Sequence, residues 1–278
     1  MANRAQHGWW RSAAPSHPTT VFLLLWLLGS LLLAFVLIPL LVLAGTPSLS
    51  GLIDAARMPD VRDSILLSLE AACLSAILTA LFGVPLAYVL ARTRFVGRGI
   101  ISAIVDLPLA VPHTVAGIAL LMVCGRQGIL GEPLQALAGL KFWGTLAGVV
   151  VAMMFVSAPY TVNAARVGFE GVDLQLEKIA RTLGLGPWRT FWKITLPLAR
   201  RGIFTGMMLT FARSISEFGA VVILVYYPKT APVEIYELFL RVNLQQAVAA
   251  AVLLLAVSLG LFVLLRFVAR NPDLRESR

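Results

Sequence analysis

Residues 173–197 read DLQLEKIARTLGLGPWRTFWKITLP. The stretch is polar and amphipathic and sits between two long apolar runs. The chain around it has 278 residues, of which 59% are hydrophobic and 13% charged. A soluble domain carries about 25% charged residues, so the deficit and the long apolar runs place this chain in a bilayer. A segment of this texture on one side of a membrane protein marks a place where something docks.

Working outward, six runs are long enough to cross a bilayer, each needing about 20 apolar residues. They cover residues 21–44, 65–91, 101–123, 145–167, 202–226 and 247–268. The first is longer than the apolar core of a signal peptide, about 7–15 residues, and is read as a retained helix. Residues 1–20 and 269–278 are read as tails, and residues 65–268 as the core that contains the amphipathic stretch. The fold class expected is an all-α membrane protein with six transmembrane helices.

Loop charges set the orientation. Arg4, Arg11, Arg92, Arg94, Arg98, Arg166, Lys178, Arg181, Arg189, Lys193, Arg200, Arg201, Arg266, Arg270, Arg275 and Arg278 fall on one side. Only Arg57, Arg62, Arg126, Lys141, Lys229 and Arg241 fall on the other, with Arg213 inside a span. The richer side is cytoplasmic. Both termini and residues 173–197 are therefore expected inside, where ATP is. Loops on the other side are short. The net charge of +9 reports this asymmetry and not nucleic-acid binding, because the basic residues form no continuous face.

Within residues 173–197, Asp173 is a candidate N-cap. Leu176, Ile179, Ala180 and Leu183 recur on one helical face, and Gly184 stands where a left-handed residue ends a helix. Pro187 suits the first turn of a second helix, whose pattern is Trp188, Phe191, Trp192 and Thr195. The expectation is two surface helices with an apolar underside and a basic face. Periodicity alone suits a hairpin anchored to lipid headgroups equally well.

The order Ala180, Gly184, then Ile194-Thr195-Leu196-Pro197 resembles the EAA loop of ABC importer permeases, the segment that grips the ATPase. Two positions depart from that pattern. Lys178 stands where the family carries glutamate, and Ile179 where it carries the first alanine; Glu177 is one residue early. The family's acidic anchor is thus in question here. The resemblance extends to LAYVLARTRF at residues 86–95, DLPLAVPHTVAG at 106–117 and SISEFGA at 214–220. Together these resemble the molybdate/tungstate permeases of the sulfate-type group, from about residue 65 onward.

The resemblance implies a type I ABC importer permease fold. It implies ATPase coupling through Lys178, Ala180, Arg181, Leu183, Gly184, Leu185 and Trp188. It also implies a homodimer around a two-fold axis, two cytoplasmic ABC ATPase subunits, an extracytoplasmic oxyanion-binding protein and contact with membrane lipid. Molybdate or tungstate is the expected cargo, with sulfate or another small solute as the alternative. No G-x-x-x-x-G-K-[ST] loop occurs in the chain, so it cannot cradle ATP phosphates. It is expected to be no enzyme and to hold no cofactor, ATP and Mg being bound by the partner. Tyr226 to Lys229 and the loop to Arg241 are the expected landing place for the binding protein.

Charged side chains inside a span cost at least about 2.5–3.5 kcal/mol and usually face a cavity or a partner. Arg213 and Glu217 are four apart, hence on one helical face. At 1.5 Å per residue Arg213 lies about 18 Å along the helix from Arg201, near the bilayer middle. With Ser214 and Ser216 it could line a path for an oxyanion; an ion pair that only holds helices together is the other reading. Pro108 and Pro112 each remove a helical hydrogen bond, which makes the third span a candidate gate beside His113. Asp106 and His113, seven apart, should face the same way. With no third ligand near, no metal site is expected.

Two other function classes fit the sequence less well. An ion-coupled secondary transporter would need broken helices at matching positions in both halves, and only the third span shows a break. An intramembrane enzyme would need a catalytic constellation that is not present. Cys73 and Cys124 lack metal-ligand spacing and read as small core residues.

Overall fold

A computed structural model describes residues 20–269, and every element described in them is helical. Arg4, Arg11, Arg270, Arg275 and Arg278, on which part of the charge asymmetry rests, lie outside the described residues. The chain divides at residue 47 into two units. The first contains α1 (Thr20–Gly45), a helix apolar on every side with its large side chains exposed, as expected of a helix surrounded by lipid.

The second unit begins with α2 (Leu49–Arg57), α3 (Pro59–Arg92), α4 (Arg98–Ala110), α5 (His113–Cys124), α6 (Gly131–Ala138) and α7 (Leu146–Glu170). It continues with α8 (Leu174–Thr182), the one-turn α9 (Pro187–Thr190), a π turn (Phe191–Thr195), α10 (Leu196–Ile215) and α11 (Gly219–Leu224). Last come α12 (Ala231–Arg241) and α13 (Leu244–Ala269).

The centre of this unit is α7, packed between α3 and α10. Small residues allow the approach. A Cβ on Gly202 would sit 2.6 Å from Gly168 Cα, and one on Gly206 2.9 Å from Thr161 Cα, so the backbones of α7 and α10 nearly touch. Between membrane helices such close packing replaces the hydrophobic drive. Buried hydroxyls join the three helices. Ser214 Oγ donates to Ser157 Oγ at 3.0 Å and lies 3.1 Å from Ser75 Oγ, while the Thr161 and Thr210 hydroxyls meet at 2.6 Å.

Four described helices are long and apolar enough to cross a membrane: Val21–Gly45, Pro59–Arg92, Leu146–Glu170 and Leu244–Leu264. A fifth crossing results if α4 and α5 count as one. The expectation of six continuous spans is therefore corrected at two of them. The third expected span was to be kinked; instead α4 and α5 meet at 112°. Pro112 is the cause. It holds Val111 extended, at φ −81° and ψ 129°, and itself becomes the N-cap of α5, as a residue before proline is pushed out of the helical region. Pro108 stays buried inside α4 without ending it.

The fifth expected span also breaks. α10 carries Arg200, Arg201 and Arg213 and stops at Ile215, and α11 begins at Gly219. The second break, which the sequence pattern hid, thus does exist, and the two broken segments pack on each other. A Cβ on Gly219 would sit 2.8 Å from His113 Cβ, and one on Gly117 3.0 Å from Ala220 Cα. Asp106 and His113 consequently lie on different helices and not on one face. Cys124 is buried as expected, but Cys73 is exposed.

Replacing Gly202 with leucine should overpack the α7–α10 crossing, at about 1–3 kcal/mol or more. The detergent-extracted protein should lose its single sharp elution peak and melt earlier. Leucine at Gly29, where an added Cβ meets nothing within 4 Å, should leave both unchanged.

Candidate functional site

The first candidate region is the amphipathic stretch. Asp173 caps α8 by accepting from the Gln175 N–H at 2.9 Å, and Gly184 ends it with φ +89°. Both follow from residue type: aspartate satisfies a free N–H at a helix start, and glycine takes the left-handed turn without strain. The second helix is not a separate element. From Pro187 it runs through the π turn directly into α10, so the end of the amphipathic stretch and a core helix form one rod.

The faces of α8 are not arranged as expected. The apolar row does not pack beneath the helix. Leu176, Ile179 and Leu183 are exposed and line an open groove of about 400 Å³ with Ala180, Leu185, Lys193, Ile194, Pro197 and Leu198. Facing the body instead are Ala180 and the carboxylate of Glu177, which is 5% exposed. Glu177 Oε1 lies 2.8 Å from Arg92 Nη2 and accepts from Arg92 Nε and Thr195 Oγ1, each at 3.0 Å. Arg92 Nη2 also donates to the Val172 carbonyl at 3.0 Å. The acid displaced by one residue from the family's position is therefore an internal anchor, and Lys178 beside it points to solvent. Arg181, Gly184 and Trp188 are exposed too, and Leu185 is half-buried at the groove.

Phe191 turns inward. Its ring packs edge-on against Tyr88 at 4.8 Å between centroids, and Tyr88 meets Phe169 at 5.3 Å. Trp188 and Trp192 remain exposed. Arg98 and Arg166 converge on Glu170, at 3.3 and 2.9 Å, and fasten the start of α4 to the end of α7.

The second candidate region lies where the two broken helices meet. Arg213 Nη2 is 2.7 Å from Glu217 Oε2 and 2.7 Å from His113 Nε2. Glu217 is 1% exposed, and its other oxygen accepts from the Ala220 N–H at 2.9 Å, capping α11. One arginine thus joins the end of α10, the start of α11 and the start of α5. His113 is half exposed and Arg213 partly so, and Ser216, exposed beside them, lies 3.4 Å from Arg213 Nη1. Ser214 does not share this face. It is buried in the hydroxyl chain between α3, α7 and α10, because a helix turns about 100° per residue. Asp106 is also apart, accepting from Asn163 Nδ2 at 2.7 Å. Among the described residues no group of three metal-ligating side chains occurs.

A third feature was read only as a loop. After the turn at Tyr226, with φ 47°, the chain forms α12, whose first N–H, on Ala231, is held by buried Ser68 Oγ at 2.7 Å. Lys229 Nζ lies 2.7 Å from Glu237 and 3.0 Å from Glu234. The hydrogen bond to Glu237 is the main reason the Lys229 ammonium titrates higher than usual, and the same bond holds the Glu237 carboxyl lower than usual. Its sequence signals were weak: Pro232 at the helix start and an i, i+4 Glu237–Arg241 pair, 2.7 Å apart.

The matching family model is that of binding-protein-dependent transport system inner membrane components, over residues 83–273. The chain is 43% identical over 248 residues to a molybdate/tungstate transport system permease protein of Thermococcus kodakarensis, covering 88% of this chain and 95% of that one. It is 41% identical over 253 residues to a probable molybdenum ABC transporter permease protein of Haloferax volcanii, covering 88% and 90%. A solved bacterial alginate ABC transporter in complex with its periplasmic protein matches with TM-score 0.70 at 16% identity, covering 88% of this chain and 94% of that one. At that identity the likeness concerns the fold alone.

The Lys229–Glu237 contact has a defined pH window. Glu237 contributes above the unfolded carboxylate value of about 4.3 and loses its contribution as pH falls through its lower folded value. Lys229 contributes below about 10.4 and loses its contribution as pH rises through its higher folded value. Melting of the wild type and of Glu237→Gln should therefore differ at pH 7, and the difference should begin to shrink below about pH 4.3 and vanish only below the lower folded value.

Proposed function

The chain belongs to the family of binding-protein-dependent transport system inner membrane components, and on that premise we propose that it is the transmembrane subunit of an ATP-driven importer of molybdate or tungstate. The observation that carries the reading is the open apolar groove around Gly184, on a chain that has no phosphate loop of its own. The groove is the proposed seat of a separate ABC ATPase, which would bind ATP and Mg. Ala180, Leu183 and Leu185 line it, and Lys178, Arg181, Gly184 and Trp188, exposed on the same stretch, are proposed to meet the partner beside it. The names of the similar permeases favour molybdate or tungstate over sulfate.

One chain supplies half of a pathway. The proposed assembly is a homodimer around a two-fold axis, with two ATPases on the positively charged cytoplasmic side, both termini on that side, and an oxyanion-binding protein outside. Tyr226 to Lys229 and α12 are the proposed landing place for the latter. On this reading the chain catalyses no reaction itself.

Along the pathway Arg213 is the proposed contact for the passing anion, and Pro112, His113 and Ser216 surround it at the junction of the broken helices. Pro108 and Ser214 support that junction from inside their own helices. A path must bind its ion weakly enough to release it. Glu217 serves that need by cancelling most of the arginine's charge.

The deciding experiment is uptake of radiolabelled molybdate into vesicles with and without the ATPase and binding protein. ATP-dependent uptake that needs both is expected. Uptake without ATP that follows a proton gradient would overturn the proposal. Gly184→Asp, at a site with open space in the chain itself, should abolish ATPase co-purification while leaving membrane insertion intact. Arg213→Gln should lower uptake at least tenfold, about the effect of 1.4 kcal/mol, with binding-protein affinity unchanged.

A further inference from the structure

α8 is a nine-residue helix that turns its large apolar side chains outward. Its packing is mainly against α9 and the π turn, so hydrophobic burial does not fasten it to the transmembrane body. Besides the small Ala180, what reaches the body is one carboxylate. Glu177 Oε1 gathers Arg92, the last residue of α3, and Thr195, the last residue of the π turn that opens α10. Arg92 in turn holds Val172 in the link between α7 and α8. Thr195 is fully buried, and the side chains of Arg92 and Glu177 are 9% and 7% exposed.

A buried charge pair resists separation, because either partner alone would be left desolvated and uncompensated. The join from α8 to α3 and α10 is therefore stiff. The connection from α8 to α9, by contrast, runs through Gly184 and Gly186, where even an added Cβ would meet nothing within 4 Å. A push on α8 could be absorbed by bending at the glycines or delivered through the carboxylate.

We propose that Glu177, Arg92 and Thr195 are positioning residues that lock α8 to the near ends of α3 and α10, so that movement of a docked ATPase is transmitted to the transmembrane helices. This rests on the reading that the α8 groove seats an ATPase. It also accounts for the residue order in this chain: the acid at 177 faces inward as the lock, and the base at 178 faces outward toward the partner.

The test uses the assembled complex of permease, ATPase and binding protein in proteoliposomes, with Glu177→Gln, Arg92→Lys and Thr195→Val. Co-purified ATPase, the ATP hydrolysis rate and molybdate moved per ATP are measured. The variants should retain the ATPase and continue to hydrolyse ATP, with an unchanged half-saturating concentration of loaded binding protein. Molybdate moved per ATP should fall about fivefold in Thr195→Val, the effect of one lost hydrogen bond, and further in Glu177→Gln. If Glu177→Gln does not assemble, Thr195→Val and Arg92→Lys decide the matter. Unchanged molybdate per ATP in the assembled variants, or uptake that falls only in proportion to bound ATPase, overturns the proposal. A wild-type chain that co-purifies no ATPase defeats the docking reading itself, and the lock with it.

Discussion

Everything in the second unit depends on how closely α10 can approach α7. Apolar surface provides no attraction between helices when the solvent is itself apolar, so contact must come from close packing and polar bonds. Gly202 against Gly168, and Gly206 against Thr161, lack the side chains that would hold the backbones apart. The hydroxyls of Ser75, Ser157 and Ser214 then bond across three helices. This contact fixes a rod that begins in the amphipathic stretch and reaches Arg213, about 27 Å away from Thr195 at 1.5 Å per residue.

Each end of that rod carries a buried acid. At the near end Glu177 binds Arg92 and Thr195; at the far end Glu217 binds Arg213 and caps α11. Removing one partner of such a pair costs about 3–5 kcal/mol, well beyond the 0–1 kcal/mol of a surface pair. The two acids therefore set where the rod attaches, while the glycine crossing sets how it lies. The groove beside α8 and the junction of the broken helices thus lie at the two ends of this one element.

Much of this was legible in the residues. Asp173 and Gly184 bracket α8 as read, since capping and left-handed turns are local chemistry. The spacing of Arg213 and Glu217 left an ion pair as one of two readings, and the two side chains do pair, at 2.7 Å. Residue spacing failed where a helix stops for non-local reasons. The break at Ser216 to Phe218 gives no proline signal; it exists because Gly219 lets α11 press on His113 and because Glu217 caps the new start. Ser214 was grouped with Arg213 by proximity in sequence, but adjacent helical residues point about 100° apart, and Ser214 went to the core. α12 was read as loop because its stability comes from Ser68 on a distant helix.

The amino-acid sequence by itself determined the membrane class, the family and the position of the amphipathic stretch. Those follow from composition, periodicity and motif spacing, all of which are local along the chain. Only the tertiary structure decided which face of α8 is free and which is held. The outward row of Leu176, Ile179 and Leu183 and the inward Glu177 both satisfy helical periodicity. The choice between them was made by Arg92, 85 residues earlier in the chain, because a buried guanidinium needs a carboxylate more than an exposed groove needs to be filled.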